Sequence, residues 1–598
     1  MSAKKWLILF FFTVLVLALG IVGFNIVTDP FGAFGDPVMD WFSYDATNNP
    51  RVAKVSYLNT HFEDYDSYVL GCSSTSSYPV EALNRAYDAH FYNMIVYGAD
   101  MLDTEEQCRW LLTHDKVSNL VLNVYIDNGL SYDYESNAYT DSMPPIGDRE
   151  SALVHYARFA FASPEYGIAK LKARREDTYL AQTFDVFDPV TGTYDKRKRD
   201  AEPIGDLDSY FENYPVFTNY PSNPHSLPKI TECMESVARI RDLCKAAGCN
   251  LIVATAPVYG DYLHTFPREQ VEAFLSALAE VTDFWDFSYT PVSLEPRYFY
   301  DGTHFRNAIG ERMVNAIMGK EAFGAYVTKD NIQAHLAQYW DVAPQPVEAQ
   351  VQILTYHHLS EEETSSATIS PTLFRDHLLA LKEAGYQVVS LEALSDYVNS
   401  GVPLPEKALV LTFDDGYESN LSLAYPILQE LGMPATIFVI GSSLGKSTYK
   451  DTGTPIYPHF DGDSVKQVLD LISLGSHTYD MHQSETLEEG QARTCVAPLA
   501  GETEAEFISA MRKDFSASRQ QLTEITGTAP TALAYPTGIS SVLTDAIARE
   551  AGFTVTLTSE PGVNTLVKGL PQSLLGLHRY SVGADWTPET LLDILRKQ

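Results

Sequence analysis

Two adjacent carboxylates and a glycine, Asp414-Asp415-Gly416, end an apolar run at residues 409–413. Neighbouring side chains on a strand point to opposite sides, so at a strand end one acid can bind a cation while the other stays free to move protons. Gly416 lets the chain turn at once and keeps the site open. Further along, His477 and His482 stand five residues apart in the segment Ser-His-Thr-Tyr-Asp-Met-His. On a helix that spacing is a rotation of roughly 140°, which would put the imidazoles on different faces. Gly475-Ser476 points instead to a strand end running into a loop, where both rings can converge. Two His and one Asp with open positions for water suit Zn2+ or a related divalent ion. A second set lies nearer the N-terminus. Ser73 sits in the turn Gly71-Cys72-Ser73-Ser74 after the apolar run Ser67–Leu70, and far downstream come Asp301-Gly-Thr-His304. An Asp three residues before a His can orient the imidazole, which can activate a serine brought from the other end of a domain.

The segments Thr-Phe-Asp-Asp-Gly and Ser-His-Thr-Tyr-Asp-Met-His resemble the first two motifs of the polysaccharide deacetylase family, the second in the longer-spaced form of its poly-N-acetylglucosamine deacetylases. The likeness runs from about residue 351 to the end. It implies that Asp415, His477 and His482 bind a metal and that Asp414 is the general base. It also implies that the Tyr535 N–H, in Ala534-Tyr535-Pro536-Thr537-Gly538, stabilises the oxyanion. The arginine that many members carry just before that proline is missing, Thr537 replaces the usual aromatic, and His578 is the candidate general acid. The Ser73 turn and the Asp301/His304 segment are similar to the SGNH hydrolase superfamily over residues 67–318. That likeness implies Ser73 as nucleophile, His304 as base, Asp301 as its partner and Gly98 as an oxyanion donor, with Asn123 or Asn128 as the asparagine of the set.

The elements that must position these groups are legible as alternating apolar runs and amphipathic stretches. Helical periodicity over 230–247, a stop at Gly248 and a buried strand from Asn250 mark one βα unit. In the C-terminal half the pattern predicts strands at 351–356, 386–390, 408–413 and 435–439, with helices at 372–384, 391–400, 421–431 and 504–526. The expected fold class is therefore α/β throughout. An SGNH-like three-layer domain spans 30–336 with a Tyr-, Asp- and Pro-rich insertion at about 127–228. A linker follows at 337–349, then a distorted (β/α) barrel deacetylase domain at 350–598. Two large domains also suit 598 residues, since one hydrophobic core rarely grows past about 250–300.

Residues 6–28 carry no charge and can cross roughly 30 Å of hydrocarbon. A cleaved signal peptide is the rival, but its apolar core is usually about 7–15 residues and ends in a small-x-small site. Residues 1–29 are thus expected to be a cytoplasmic tip and a single-pass signal-anchor, with Lys4 and Lys5 inside and the domains extracytoplasmic. The net charge of -36 excludes nucleic acid, whose phosphates it would repel. The six cysteines are too scattered for a disulfide framework or a metal knuckle. The expectation is an enzyme removing N-acetyl groups from an N-acetylhexosamine polymer, alongside exopolysaccharide or cell-wall machinery, with an O-acyl esterase or transferase domain attached. Peptidoglycan or chitin-oligomer deacetylation is the enzymatic alternative, and a glycan-binding platform without catalysis the alternative of another class.

Overall fold

Glycine stops and side-chain caps divide the chain much as the periodicity predicts. The computed structural model describes residues 2–39, 49–114, 116–130, 146, 151–176, 188–194, 196–220, 225–362, 365–450 and 452–597. About a third of the expected insertion at 127–228 therefore lies outside the described residues. Two units pack separately, one of residues 1–196 with 211–345 and one of residues 197–210 with 346–598. The short segment 197–210 thus leaves the stretch expected as an insertion in the first domain. Asp200 on it accepts a hydrogen bond from the Gln572 amide at 3.0 Å, within the second unit.

The first unit holds six strands: β1 (Ser67–Leu70), β2 (Phe91–Asn93), β3 (Asn119–Val124), β4 (Asn250–Thr255), β5 (Phe284–Asp286) and β6 (Ala325–Val327). They lie in the order β2-β1-β3-β4-β5-β6, parallel except for β6. β1 is buried at every position, as a parallel strand covered on both faces must be. The helix Ile230–Ala247 ends on Gly248 in a left-handed turn, and Cys249 N–H returns to the Cys244 carbonyl. Ahead of the sheet, the apolar helix Ala3–Thr28 is long enough to cross a membrane.

The second unit is built on β7 (Glu348–Tyr356), β8 (Gln387–Val389), β9 (Ala408–Phe413), β10 (Ala435–Val439), β11 (Ile472–Ser476), β12 (Ala532–Ala534), β13 (Val555–Leu557), β14 (Asn564–Val567) and β15 (Tyr580–Ser581). Its backbone is a curled half-barrel sheet in the order β13-β12-β11-β10-β9-β7-β14, with β8 on β9 and β15 on β7. The expected barrel is open because its last strands are only two to four residues long. A single bridge, Leu557 to Leu577, spans the gap between β13 and the segment leading to β15. The helix expected at 421–431 begins as a π turn, Asn420–Ala424, before the α-helix Tyr425–Leu431. Pro426 has no N–H to continue the regular ladder, which accounts for the wider first turn.

Candidate active site

The C-terminal ends of β9 and β11 bring the acid pair and the histidines together. Asp415 Oδ1 lies 3.7 Å from His477 Nε2 and 3.8 Å from His482 Nε2. One donor atom from each of the three lies within 4.8 Å of the others. Among the described residues Asp415 Oδ1 is buried without a hydrogen-bond partner, an arrangement that costs stability unless something positive fills it. His477 Nδ1 is 2.8 Å from the Ala534 carbonyl, so it donates there and presents Nε2 to the cluster. Burial lowers the His477 imidazole, which favours the neutral ring that a metal requires. This donor set fits a divalent cation.

Asp414 lies beside the same centre, close enough for His477 and His357 to act on its charge. Its two oxygens receive Arg579 Nη1 at 2.7 Å and Nη2 at 2.9 Å, and both side chains are buried. Burial alone would raise this carboxyl, but the Arg579 guanidinium and the nearby His477 hold it well below the usual carboxylate range. Asp415 is likewise lowered: burial opposes, and His477, His357 and His482 outweigh it.

Three non-glycine residues at these strand ends have left-handed backbone: Asp415 (φ 73°), Thr478 (φ 68°) and Thr537 (φ 59°). Such conformations cost of order 1–3 kcal/mol and persist where surrounding structure fixes them. For Thr478 that structure is Asp514, on the helix Glu504–Thr526, which accepts the Tyr479 and Asp480 N–H groups at 2.7 Å each. Asp480 itself turns away to Ser442 and Lys450.

One expectation for this site changes, and a second gains no support. The Tyr535 N–H donates to the Leu557 carbonyl at 2.9 Å, so the β12–β13 ladder already uses it and it does not serve an oxyanion. The His578 backbone bonds to the Asn564 side chain, its ring packs at Gly562 and its Nδ1 is buried without a partner among the described residues; no described contact brings it to the acid pair. Its neighbour Arg579 is the residue that reaches the centre. Along this stretch alternation allows just one of His578 and Arg579 to point inward, and it is Arg579. Three further groups were missed. The Tyr417 hydroxyl packs against the Asp415 carboxylate. His357, directly after β7, adds to the depression of both acids, and its Nδ1 is buried without a partner. His459 lines a cleft of about 630 Å³ together with Asp415, Tyr417, Tyr449, Tyr457 and His482.

In the first unit, Ser73 opens a short helical turn, Ser73–Ser77, at the end of β1. Gly71 before it has φ 153°, and a side chain there would meet Thr75 Oγ1 at 2.4 Å. Asp301 oxygens lie 2.8 Å from His304 Nδ1, and although burial opposes it, His304 holds the Asp301 carboxyl down to about 2. The turn packs against the His304 segment through the Ser77 hydroxyl on the Phe305 carbonyl, but among the described residues no hydrogen bond joins Ser73 to His304. Asn123 is engaged with Ser74 and Tyr78, and Asn128 caps the Tyr125 N–H. Gly98 lies in a turn with φ 67°, and no described contact ties it to Ser73.

An ionised acid held by arginine, beside a second acid and two histidines at the mouth of a parallel half-barrel, defines a hydrolytic centre with a metal-binding donor set. Comparison with known proteins gives the class its name. Residues 401–556 match the polysaccharide deacetylase family model. A Bacillus subtilis protein assigned as a polysaccharide deacetylase, YxkH, is 29% identical over 235 residues, 39% of this chain and 72% of its own length. The poly-β-1,6-N-acetyl-D-glucosamine N-deacetylase of Escherichia coli K12 is 33% identical over 138 residues, which is 22% of this chain and only 20% of that protein. A solved de-N-acetylase from Aggregatibacter actinomycetemcomitans aligns with a TM-score of 0.36 at 26% identity, covering 41% of this chain and 99% of the other. The C-terminal unit carries a polysaccharide deacetylase domain over residues 401–556, and its N-deacetylase relatives are hydrolases acting on C–N bonds of N-acetylated polysaccharides.

Proposed function

We propose that the chain is a membrane-anchored, extracytoplasmic de-N-acetylase of a β-linked N-acetylhexosamine polymer. The observation that carries this reading is the Asp415/His477/His482 donor set beside an Asp414 held ionised by Arg579. Those three residues would hold Zn2+, which when bound supplies Lewis acidity at the acetamide carbonyl. Asp414, ionised and fixed in place, accepts the proton of the attacking water. With the Tyr535 N–H used in the sheet, the oxyanion donor at this strand end is the N–H of Thr537, the residue after Pro536. The acid for the departing amine is to be sought at His357 or His459, beside Asp415, rather than at His578. Tyrosines 417, 449 and 457 give the cleft faces on which sugar rings stack. The names of the Escherichia coli and Staphylococcus aureus relatives favour a β-1,6-linked N-acetylglucosamine polymer.

Retention of the N-terminal helix as an anchor is supported at its outer end. Asn25 is fully buried and its amide donates to the Ala160 and Ala162 carbonyls at 3.0 and 2.8 Å. Cleavage there would remove part of the first unit's own packing. The test of the main reading is acetate release by the full-length chain in detergent, from β-1,6- and β-1,4-linked N-acetylglucosamine oligomers, with and without chelator. Chelator-sensitive release is expected, faster on the β-1,6 oligomer. A β-1,4 preference would shift the substrate to wall or chitin oligomers, and no release from a metal-loaded chain would leave a glycan-binding platform.

For the first unit, the reading is an SGNH-like carbohydrate O-acyl esterase or transferase with Ser73, His304 and Asp301 in the expected roles. The Asp301–His304 bond at 2.8 Å favours it. Ser73→Ala is expected to abolish hydrolysis of a small acetyl ester without changing acetate release from the N-acetylated oligomer. Ester hydrolysis at the original rate in that variant would remove this second activity.

A further inference from the structure

The first unit carries an apolar surface where its N-terminal helix enters it. Helices Ala152–Ala160 and Pro164–Glu176 form a hairpin whose inner side packs on the outer end of the helix Ala3–Thr28. Gly167 fits directly against that helix: a side chain there would come within 2.5 Å of Thr28 and 2.6 Å of Phe24. Phe159 and Ala162 join Phe31, Ala33 and Val52 in a small core beneath the hairpin, and Lys170 is buried against Asp36. The inner side is thus fully used.

The outer side is unlike an ordinary soluble surface. Leu153 is 81% exposed, Phe161 62% and Ile168 58%, and Val154, Tyr156 and Leu171 are exposed beside them. Scattered exposed apolar residues need no explanation, but six within nineteen residues make a patch that a soluble protein would bury. Apart from the buried Lys170, the same segment carries Arg158, Lys172, Arg174 and Arg175 against Glu165, in a chain whose overall charge is -36. Large apolar side chains exposed beside the outer end of a membrane-length helix, with cations near them, form a surface that a bilayer interface can cover.

Depth decides what covers the patch. From Trp6 to Phe24 the N-terminal helix rises about 27 Å, close to the roughly 30 Å hydrocarbon thickness. Phe24 and Thr28, on which the hairpin rests, therefore stand at the outer edge of the hydrocarbon when the helix spans. We propose that the 152–176 hairpin is a monotopic foot, its Leu153/Phe161/Ile168 face set into the outer leaflet and its cations at the level of anionic headgroups. This rests on the anchored reading above. It gives the first unit two membrane contacts instead of one and fixes it at the bilayer surface.

The test uses the full chain reconstituted into vesicles of equimolar phosphatidylcholine and phosphatidylglycerol. Photoreactive p-benzoylphenylalanine replaces Leu153, Phe161 and Ile168 in turn, with Leu15 in the N-terminal helix and exposed Val402 in the second unit as references. Because the three hairpin positions are exposed, the replacements leave the fold intact. Lipid adducts found by mass spectrometry are expected at 15, 153, 161 and 168, with at least tenfold fewer at 402. Adducts at 15 with none above the 402 level in the hairpin overturn the foot and leave the anchor standing. An adduct-free position 15 overturns the anchor, and the foot with it.

Discussion

Replacing His477 with alanine is expected to release the bound ion and lower kcat/KM for acetate release by at least about 10³-fold. The loss of Lewis acidity at the carbonyl is worth several kcal/mol, and about 4 kcal/mol corresponds to that factor. His477 is the ligand whose removal leaves least to compensate. Its Nε2 is one of three donors, its Nδ1 is fixed on the Ala534 carbonyl, and the ring is buried. His482, only half-buried, is the milder case. Two readouts keep the outcome interpretable: metal per chain by atomic emission, and acetate release on the same sample. A variant that keeps one equivalent of metal after dialysis would show that the ligand set is wrong. Intact metal-free protein with no activity is the expected result. The substitution leaves Asp415 buried with one compensating neighbour fewer, so circular dichroism is recorded on the same sample, and an unchanged spectrum is expected.

The acid pair and the two histidines were legible because their chemistry is written in contiguous sequence. An apolar run ending in two carboxylates and a glycine can hardly be other than a strand end, and Gly475-Ser476 places His477 at another. β9 and the helices Ile230–Ala247 and Glu504–Thr526 likewise fall where periodicity put them, since a cap or stop marks each helix: Gly248 after the first, Thr503 and Gly527 around the other. What the sequence hid is pairing across distance. Arg579 meets Asp414 across 165 residues, and nothing local in Leu-His-Arg-Tyr says which side chain faces the centre. Register hid the fate of the Tyr535 N–H, because an amide in a two-sided ladder is spent on whichever strand pairs with it. The open half-barrel was hidden too, because strands of two or three residues carry no periodicity to read.

Replacing Arg579 with methionine is expected to be the most destabilising single change in the second unit. A buried carboxylate that loses its bidentate partner stays behind uncompensated, at a cost of about 3–5 kcal/mol. The same guanidinium also touches the Thr355 and Thr412 hydroxyls, so the loss is not confined to one bond. The sign of the pH dependence follows from the direction of the shift. Asp414 is held below its ordinary value in the folded chain, so the pair's stabilisation is present at neutral pH and is lost as pH falls through that depressed value. In the methionine variant the carboxyl rises and protonates earlier, which removes the unpaired charge. The gap in urea midpoint between variant and parent, measured on metal-free protein, should therefore be widest near neutral pH and narrow below about pH 5, where an ordinary carboxyl begins to take its proton. A gap that stays constant across that range would mean Arg579 acts by packing alone and Asp414 does not depend on it. Arg579→Lys separates charge from geometry. It keeps a cation but not the fork that binds both oxygens, so it should recover part of the stability while leaving kcat reduced about 10–100-fold, because Asp414 is no longer fixed at the angle from which it takes the proton.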